Sequence, residues 1–503
     1  MDKLDCCGYL SAYDFFACLE AYSVQRKRFY ATQLMKLGFQ ALLYIFLFAA
    51  YFGMLSITNV AILNVSRTAA ATMATFACSM LLLTTVYGGF EIDHKKKRTV
   101  FANLSLATFF TDLITYVILQ IMNTNPNNPE ANATMVLWGE DLALMAGAFI
   151  LQIGIIYFLT SMGFRCYYRI NPVQDCLIVT SSQELAGHVA SKMSSFGRKF
   201  NLTEVVHYEC PDVRQTIRRH DVIFLAGIPD TEEAALQSYC YKHHKTIYLL
   251  AELEDVIIST AQQTIMDDTA FLYIRPMVPT LTQRVAKRTC DIVISLIGLI
   301  VSSPVMLVTW LLLKFSGNGS PFFRQKRATL NGMVFEIIKF RTMYEDSAAV
   351  SARENDDRVT PIGRFLRKYR IDELPQLFNV LHGEMSLVGP RPEMLENVDR
   401  YTREVPEFKY RQQMKAGLTG LAQIEGKYNT SPKDKAILDL LYIENFSLAY
   451  DFKLMLRTLT IFFRRDSTEG FNDRKVNCPA MRIEPVEHRA SSGSAKPPMS
   501  AAL

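Results

Sequence analysis

The chain contains no Cys-x-x-Cys pair, no Gly-x-Gly-x-x-Gly turn, and only 8 histidines, none spaced to complete a zinc site. Its 10 cysteines are scattered and read as reduced thiols, so neither a disulfide framework nor a zinc centre organises the fold. Charge of one sign is also missing. The balance of 54 Lys and Arg against 49 Asp and Glu leaves +5, too mild for a generic polybasic nucleic-acid binder, and no nucleic-acid partner is expected. Met1 to Glu20 carries acids and has no uninterrupted apolar core before a small-residue cleavage site, so no cleaved signal peptide is expected.

Long apolar runs are what the chain has instead. Half of its 503 residues are hydrophobic, and Leu37 to Leu55, Thr68 to Phe90, Val100 to Met122 and Leu142 to Met162 are each long enough to cross a hydrocarbon core as helices. Arg26, Lys27 and Arg28 precede the first span, His94 to Arg98 joins the second to the third, and Arg165 and Arg169 follow the fourth. The second of the other two loops carries Glu130, Glu140 and Asp141. The positive-inside rule therefore puts both ends of this portion on the cytoplasmic side. Asp112, inside the third span, is either a packing contact or a functional acid.

From Asp175 to Arg275 short apolar runs (Cys176 to Thr180, Glu204 to Tyr208, Val222 to Ala226, Thr246 to Ala251, Phe271 to Ile274) alternate with helical stretches. That pattern predicts a Rossmann-like α/β module, a parallel sheet with helices on both faces. Thr180 to Glu184 follows the first run where a pyrophosphate would need glycines, so a scaffolding or dimer-forming role is expected for this module rather than nucleotide binding. Next comes an uncharged segment, Ile292 to Leu313, with Ser302-Ser303-Pro304 at its centre and cations at both ends. Proline removes a backbone donor and a neighbouring Ser can satisfy the freed carbonyl. A kinked fifth span and a re-entrant hairpin over residues 288–314 both fit. The hairpin is preferred, because a full crossing would carry the rest of the chain away from the cytoplasm.

Ser320 to Met343 reads as a β-hairpin turning at Asn331-Gly332, with Lys339 and Arg341 among its cations. Arg358 lies in the connection to Arg364 through Gln376, where Arg364, Arg367, Lys368 and Arg370 precede Asp372 and Glu373. The interleaved apolar residues allow this stretch to lie at a lipid surface. Pro375 opens a helix and places the two acids at its start. Adjacent carboxylates can share Mg²⁺ with substrate phosphates, and one can accept a phosphoryl group. Arg391, between Pro390 and Pro392, is a stiff guanidinium suited to phosphate.

Lys339-Phe-Arg-Thr-Met343, Asp372-Glu-Leu-Pro-Gln376 with Leu377-Phe-Asn-Val380, Met385-Ser-Leu-Val-Gly-Pro-Arg-Pro392 and Gly417-Leu-Thr-Gly420 resemble the bacterial sugar transferase family, the monotopic polyprenyl-phosphate phosphoglycosyl transferases, over about Thr282 to Phe463. The four spans and the α/β module are similar to that family's long form. The resemblance implies a transfer of a hexose-1-phosphate from a UDP-sugar to undecaprenyl phosphate, with release of UMP, at the start of exopolysaccharide, capsule or O-antigen assembly. It implies Asp372 as nucleophile, Glu373 as its partner at Mg²⁺, Arg367 towards the lipid phosphate, and a re-entrant break at Ser303-Pro304. Lys339, Arg341, Arg358 and Arg391 complete the expected substrate-binding set. Many members have a small hydroxyl residue two positions before the nucleophile, where this chain has Arg370.

The expected architecture is a membrane protein of the bacterial inner membrane. It has a four-helix transmembrane domain (1–170), a Rossmann-like module (171–280), an α+β catalytic domain with the re-entrant hairpin (281–483) facing the cytoplasm, and a disordered tail (484–503). A homodimer is expected from the module. The rival reading is a catalytically inactive membrane scaffold for a polysaccharide assembly complex.

Overall fold

Lipid offers no partner to backbone N–H and C=O groups, so the long apolar runs become helices. A computed structural model describes residues 12–484 apart from 60–61, 94, 124–139, 195, 197–198, 317–318, 345–356, 427–429 and 461–477. Among these, α1 (Ala12–Leu55), α3 (Lys97–Asn123) and α4 (Glu140–Ile170) contain the first, third and fourth expected spans, and α2 (Arg67–Tyr87) carries the second up to Tyr87, three residues short of Phe90. The tail beyond 484, together with His94 and Glu130, lies outside the described residues. Ser66 caps α2 by accepting the Ala69 N–H, and Gly88 ends it at φ 79°. Asp112 is buried, accepts a hydrogen bond from Gln152 Nε2 at 3.2 Å, and its carbonyl accepts one from Tyr51 Oη at 3.1 Å. It thus ties α1, α3 and α4 together.

Contacts group the chain into two compact units. One comprises Met1–Leu37, Gly163–Leu250 and Asp473–Leu503. Its centre is a parallel sheet built by β1 (Gln174–Thr180), α5 (Gln183–Ser194), β2 (Phe200–His207), α6 (Val213–Arg219), β3 (Val222–Ala226), α7 (Asp230–Lys242) and β4 (Thr246–Leu249), in strand order β2-β1-β3-β4. Side chains of β1 alternate between its faces. Leu177 and Val179 pack with Ile217 of α6 and Leu236 of α7, whereas Cys176 and Ile178 pack with Ala186 and Val189 of α5. This alternation is why a near-continuous apolar run forms a two-sided strand. Residues 478–484 also belong here: Arg482 pairs with β2 through its N–H to Val205 O and its carbonyl to His207 N.

The second unit is Gly38–Met162 with Ala251–Asn472. After α8 (Leu253–Ser259), the run expected to be a fifth parallel strand forms an antiparallel hairpin, β5 (Gln262–Met266) with β6 (Thr269–Tyr273). The reason lies in its turn: Asp267 takes φ 58°, which reverses the chain locally before any crossover can form. Then come α9 (Leu281–Phe315), β7 (Phe322–Ala328) and β8 (Val334–Phe340), the last two paired antiparallel as expected. Asn331 and Gly332 adopt φ 55° and 76° in the connection. The remaining elements are α10 (Pro361–Lys368), α11 (Gln376–His382), β9 (Ser386–Val388), α12 (Leu395–Glu404), β10 (Gly417–Thr419), α13 (Leu421–Glu425), α14 (Pro432–Glu444) and α15 (Leu448–Thr458). Phe335, Leu377, Val380, Leu387, Met414, Tyr442 and Leu454 share one core, so β8, α11, β9, α14 and α15 form a single platform.

The proline segment stays helical throughout α9, with Pro304 inside it. Pro304 cannot donate to the Ile300 carbonyl, and Ser303 Oγ donates to that oxygen instead, at 2.8 Å. Among the described residues, five helices are long and apolar enough to cross a membrane: α1 from Arg26, α2, α3 up to Met122, α4 and α9.

Candidate active site

Asp372 and Glu373 sit in a single 3₁₀ turn, Ile371–Glu373, immediately before α11, close to where the proline signal placed them. Leu377 and Val380 root α11 in the platform core. Asn379 fixes its rotation: Nδ2 donates to the Glu336 carbonyl at 2.7 Å and Oδ1 accepts the Ile338 N–H at 3.0 Å. Asn379 thereby holds the dyad's helix against β8, the strand that carries Lys339.

Glu373 lies in a cage of cations. Its Oε1 is 3.0 Å from Lys339 Nζ and 3.6 Å from Arg391 Nη2, and its Oε2 is 3.4 Å from Arg370 Nη1. Burial pushes the Glu373 carboxyl up, but Lys339, Arg391 and Arg370 together overcome it and hold the group well below its ordinary range. Asp372 behaves oppositely. It is 9% exposed, and burial, with Glu373 beside it, raises it from 3.8 to about 6 despite Lys339, Arg367 and Arg370. Two adjacent carboxyls are thus driven apart, one permanently ionised and one poised for proton exchange or nucleophilic attack near neutrality.

The Pro390-Arg391-Pro392 loop is fastened from behind. Arg411, itself buried, donates from Nη2 to the Arg391 carbonyl at 2.8 Å and pairs with Asp439 Oδ2 at 2.7 Å. Arg327 Nη1 donates to the Pro392 carbonyl at 3.2 Å. The Arg391 side chain, 44% exposed, is left facing Glu373 and open space.

The expected residues divide accordingly. Asp372, Glu373, Lys339 and Arg391 meet, and Arg367 donates from Nε to Thr342 Oγ1 at 2.9 Å within electrostatic reach of Asp372. Gly363 makes this approach feasible: a Cβ there would overlap the Thr342 carbonyl oxygen. Arg341 is directed to the end of α9, where Nη2 donates to Leu313 O at 3.2 Å and approaches Ser316 Oγ at 3.3 Å. Arg358 joins Tyr344 through its carbonyl, at 3.0 Å from the Tyr344 nitrogen. Ser303 and Pro304 belong to α9 rather than to the charge cage. Sequence reasoning assigned no role to Arg370 or Asn379; the signal for Asn379 was a polar residue inside the otherwise apolar Leu377-Phe-Asn-Val-Leu381.

For a cation the site offers the oxygens of two carboxylates, and among the described residues no group of three His, Cys, Asp or Glu side chains is placed to hold a metal. Mg²⁺ commonly takes one or two carboxylates with substrate phosphates and water, so the donors fit an ion that shares its shell with a diphosphate.

A sequence model of the family described as bacterial sugar transferase matches residues 282–465, which include the dyad, its cations and α9. The chain is 40% identical over 209 residues to UDP-glucose:undecaprenyl-phosphate glucose-1-phosphate transferase of Caulobacter vibrioides, covering 40% of this chain and 78% of that protein. It is 37% identical over 193 residues to the exopolysaccharide production protein ExoY of Sinorhizobium fredii, covering 35% of this chain and 84% of that protein. With the UDP-N-acetylgalactosamine-undecaprenyl-phosphate N-acetylgalactosaminephosphotransferase of Aeromonas hydrophila it shares 35% identity over 226 residues, 44% of this chain and 53% of the relative. With the motifs placed around one charge cage and two relatives matched over most of their length, the chain belongs to the bacterial sugar transferase family and is a transferase of that class.

Proposed function

We propose that this chain transfers a hexose-1-phosphate from a UDP-sugar to undecaprenyl phosphate through an aspartyl sugar-phosphate intermediate, starting exopolysaccharide, capsule or O-antigen synthesis. The observation that carries the reading is the split dyad: a buried Asp372 raised to about 6 beside a Glu373 locked in its charged form by three cations. An Asp372 oxygen attacks the β-phosphorus, a new P–O bond forms, and the P–O bond to the bridging oxygen breaks, releasing UMP. An oxygen of undecaprenyl phosphate then attacks the same phosphorus and the carboxylate leaves. Splitting the transfer lets one small site serve a soluble and a lipid substrate in turn. Lys339, Arg391 and Arg367 neutralise the transferring phosphates, an electrostatic contribution of a few kcal/mol each, roughly. Mg²⁺ bound by Glu373, Asp372 and the diphosphate would further offset that charge.

The reading also gives α9 a role as the re-entrant element, a continuous helix bent at the Ser303-Pro304 step rather than two helices joined by a loop. Both of its ends are fastened to the same platform: Lys287 Nζ donates to Val388 O at 2.9 Å on one leg, and Leu313 packs with Phe340 and Leu366 on the other. Between them Ile300 and Val301, next to the Ser303-Pro304 step, are 65% and 73% exposed, as apolar residues facing lipid would be. Together with the cations flanking the spans, this favours a catalytic domain on the cytoplasmic face of the inner membrane.

The test is a single turnover without lipid acceptor. Purified protein with Mg²⁺ and a UDP-sugar labelled in the sugar should release close to one UMP per chain and retain the label covalently. UMP release that appears only when undecaprenyl phosphate is present, with no labelled protein, would favour direct transfer instead.

The same burst has a predictable pH dependence. Asp372 attacks only as the anion, and before cation and UDP-sugar arrive its carboxyl, raised to about 6, is ionised at pH 7.5 and half-protonated near pH 6, a state read by the burst at subsaturating Mg²⁺ and UDP-sugar. Below that the rate should fall about tenfold per unit. A burst rate that stays flat from pH 7.5 to 5 would contradict the assignment.

A further inference from the structure

Each oxygen of Glu373 has its own partners. Lys339 and Arg391 share Oε1, and Arg370 stands against Oε2 at 3.4 Å. Arg370 is three residues before Glu373 and two before the nucleophile, in the left-handed region at φ 53° and ψ 24°. A side chain other than glycine is sterically strained there. The backbone of this turn thus starts the Arg370 side chain beside Glu373, and its guanidinium rests against Oε2 while no cation or substrate is bound. Mg²⁺ needs oxygens at about 2.0–2.1 Å in near-octahedral array, and a dication on Oε2 would lie within a few ångströms of that guanidinium.

We propose that Arg370 is a positioning residue that competes with the divalent cation for Glu373 Oε2, and so sets the metal concentration at which the site fills. The inference rests on the reading that Glu373 receives the metal. When the cation binds, Arg370 must turn away, and its side chain, 25% exposed, has a path to solvent and to an incoming phosphate. Free metal is therefore disfavoured in the empty site, and a cation arriving with a diphosphate is favoured because the phosphate receives the displaced guanidinium.

The experiment is a titration of the full-length protein with Mn²⁺, read as loss of the free Mn²⁺ signal in electron paramagnetic resonance, in the absence of nucleotide. Asn tolerates the left-handed conformation, so Arg370→Asn should keep the turn. It is expected to bind Mn²⁺ about tenfold more tightly than the unaltered chain, because a unit positive charge beside the site is gone. Arg370→Lys should stay within about threefold, and adding Glu373→Gln to Arg370→Asn should erase the gain. The half-activating Mg²⁺ concentration for UMP release should fall in parallel. A merely structural role for Arg370 would weaken metal binding, not tighten it. Unchanged or weaker Mn²⁺ affinity in Arg370→Asn, no measurable binding to either protein included, overturns the proposal. UMP release with no Mg²⁺ requirement would instead overturn the metal assignment on which it rests.

Discussion

Asp372→Asn is expected to lower UMP release by about 10⁴-fold or more while leaving the fold at least as stable as before. Amide and carboxyl are nearly isosteric, but the amide cannot attack phosphorus, so the first half-reaction has no nucleophile. The stability half follows from linkage. A carboxyl whose folded pKa is raised from 3.8 to about 6 contributes its stabilisation below the unfolded value and loses it as pH rises through about 6. At pH 7.5 the buried anion is thus a net cost, of at most about 3 kcal/mol, that a neutral amide removes. Thermal unfolding at pH 7.5 should be unchanged or shifted upward, and the shift should shrink as pH falls through about 6 and vanish only below about 3.8. Activity above a tenth of the unaltered rate would refute the nucleophile. A fall in stability at pH 7.5 would instead place Asp372 among structural residues.

The dyad was legible because its chemistry is local: two acids, a proline and a helix start are neighbours in the chain. The four spans were legible for the same reason, since lipid reads composition over about 20 residues. What escaped was long-range. Lys339 near the end of β8 and Arg341 just past it are two residues apart, a spacing that puts both on one face of an extended chain, yet only Lys339 of the two reaches Glu373; Arg341 serves the end of α9, a choice set by tertiary packing rather than by spacing. The run at Phe271 has strand composition like its predecessors, and only the turn at Asp267 decides that it pairs with β5. Arg482 is further from β2 in sequence than any local pattern can register, although its guanidinium meets both oxygens of Asp212 at 2.8 Å.

The same long-range logic makes Lys287→Met the most damaging change expected outside the dyad. Lys287 is 13% exposed and Asp451 7%, and their charged atoms lie 2.5 Å apart; Nζ also donates to the Val388 carbonyl, and Tyr442 Oη donates to the other Asp451 oxygen at 2.8 Å. One turn along α9, Asp291 Oδ1 accepts the Leu387 N–H at 3.0 Å, and Arg288 donates to the Val380 and Leu381 carbonyls at the end of α11, both at 2.6 Å. This part of α9 is therefore joined to β9 and to the helix that follows Asp372. Methionine would fill the space but leave Asp451 buried without its counter-charge, a loss of about 3–5 kcal/mol. For a unit of about 350 residues that corresponds to a fall of roughly 4–7 °C in Tm in detergent. Adding Asp451→Leu should recover most of it, because removing both charges avoids the stranded one. Recovery in the double variant would show that the single change fails through the orphaned carboxylate. A Tm within 2 °C of the unaltered protein for Lys287→Met alone would mean that this part of α9 is held by apolar packing, and that the ion pair does not set where Asp372 sits relative to α9.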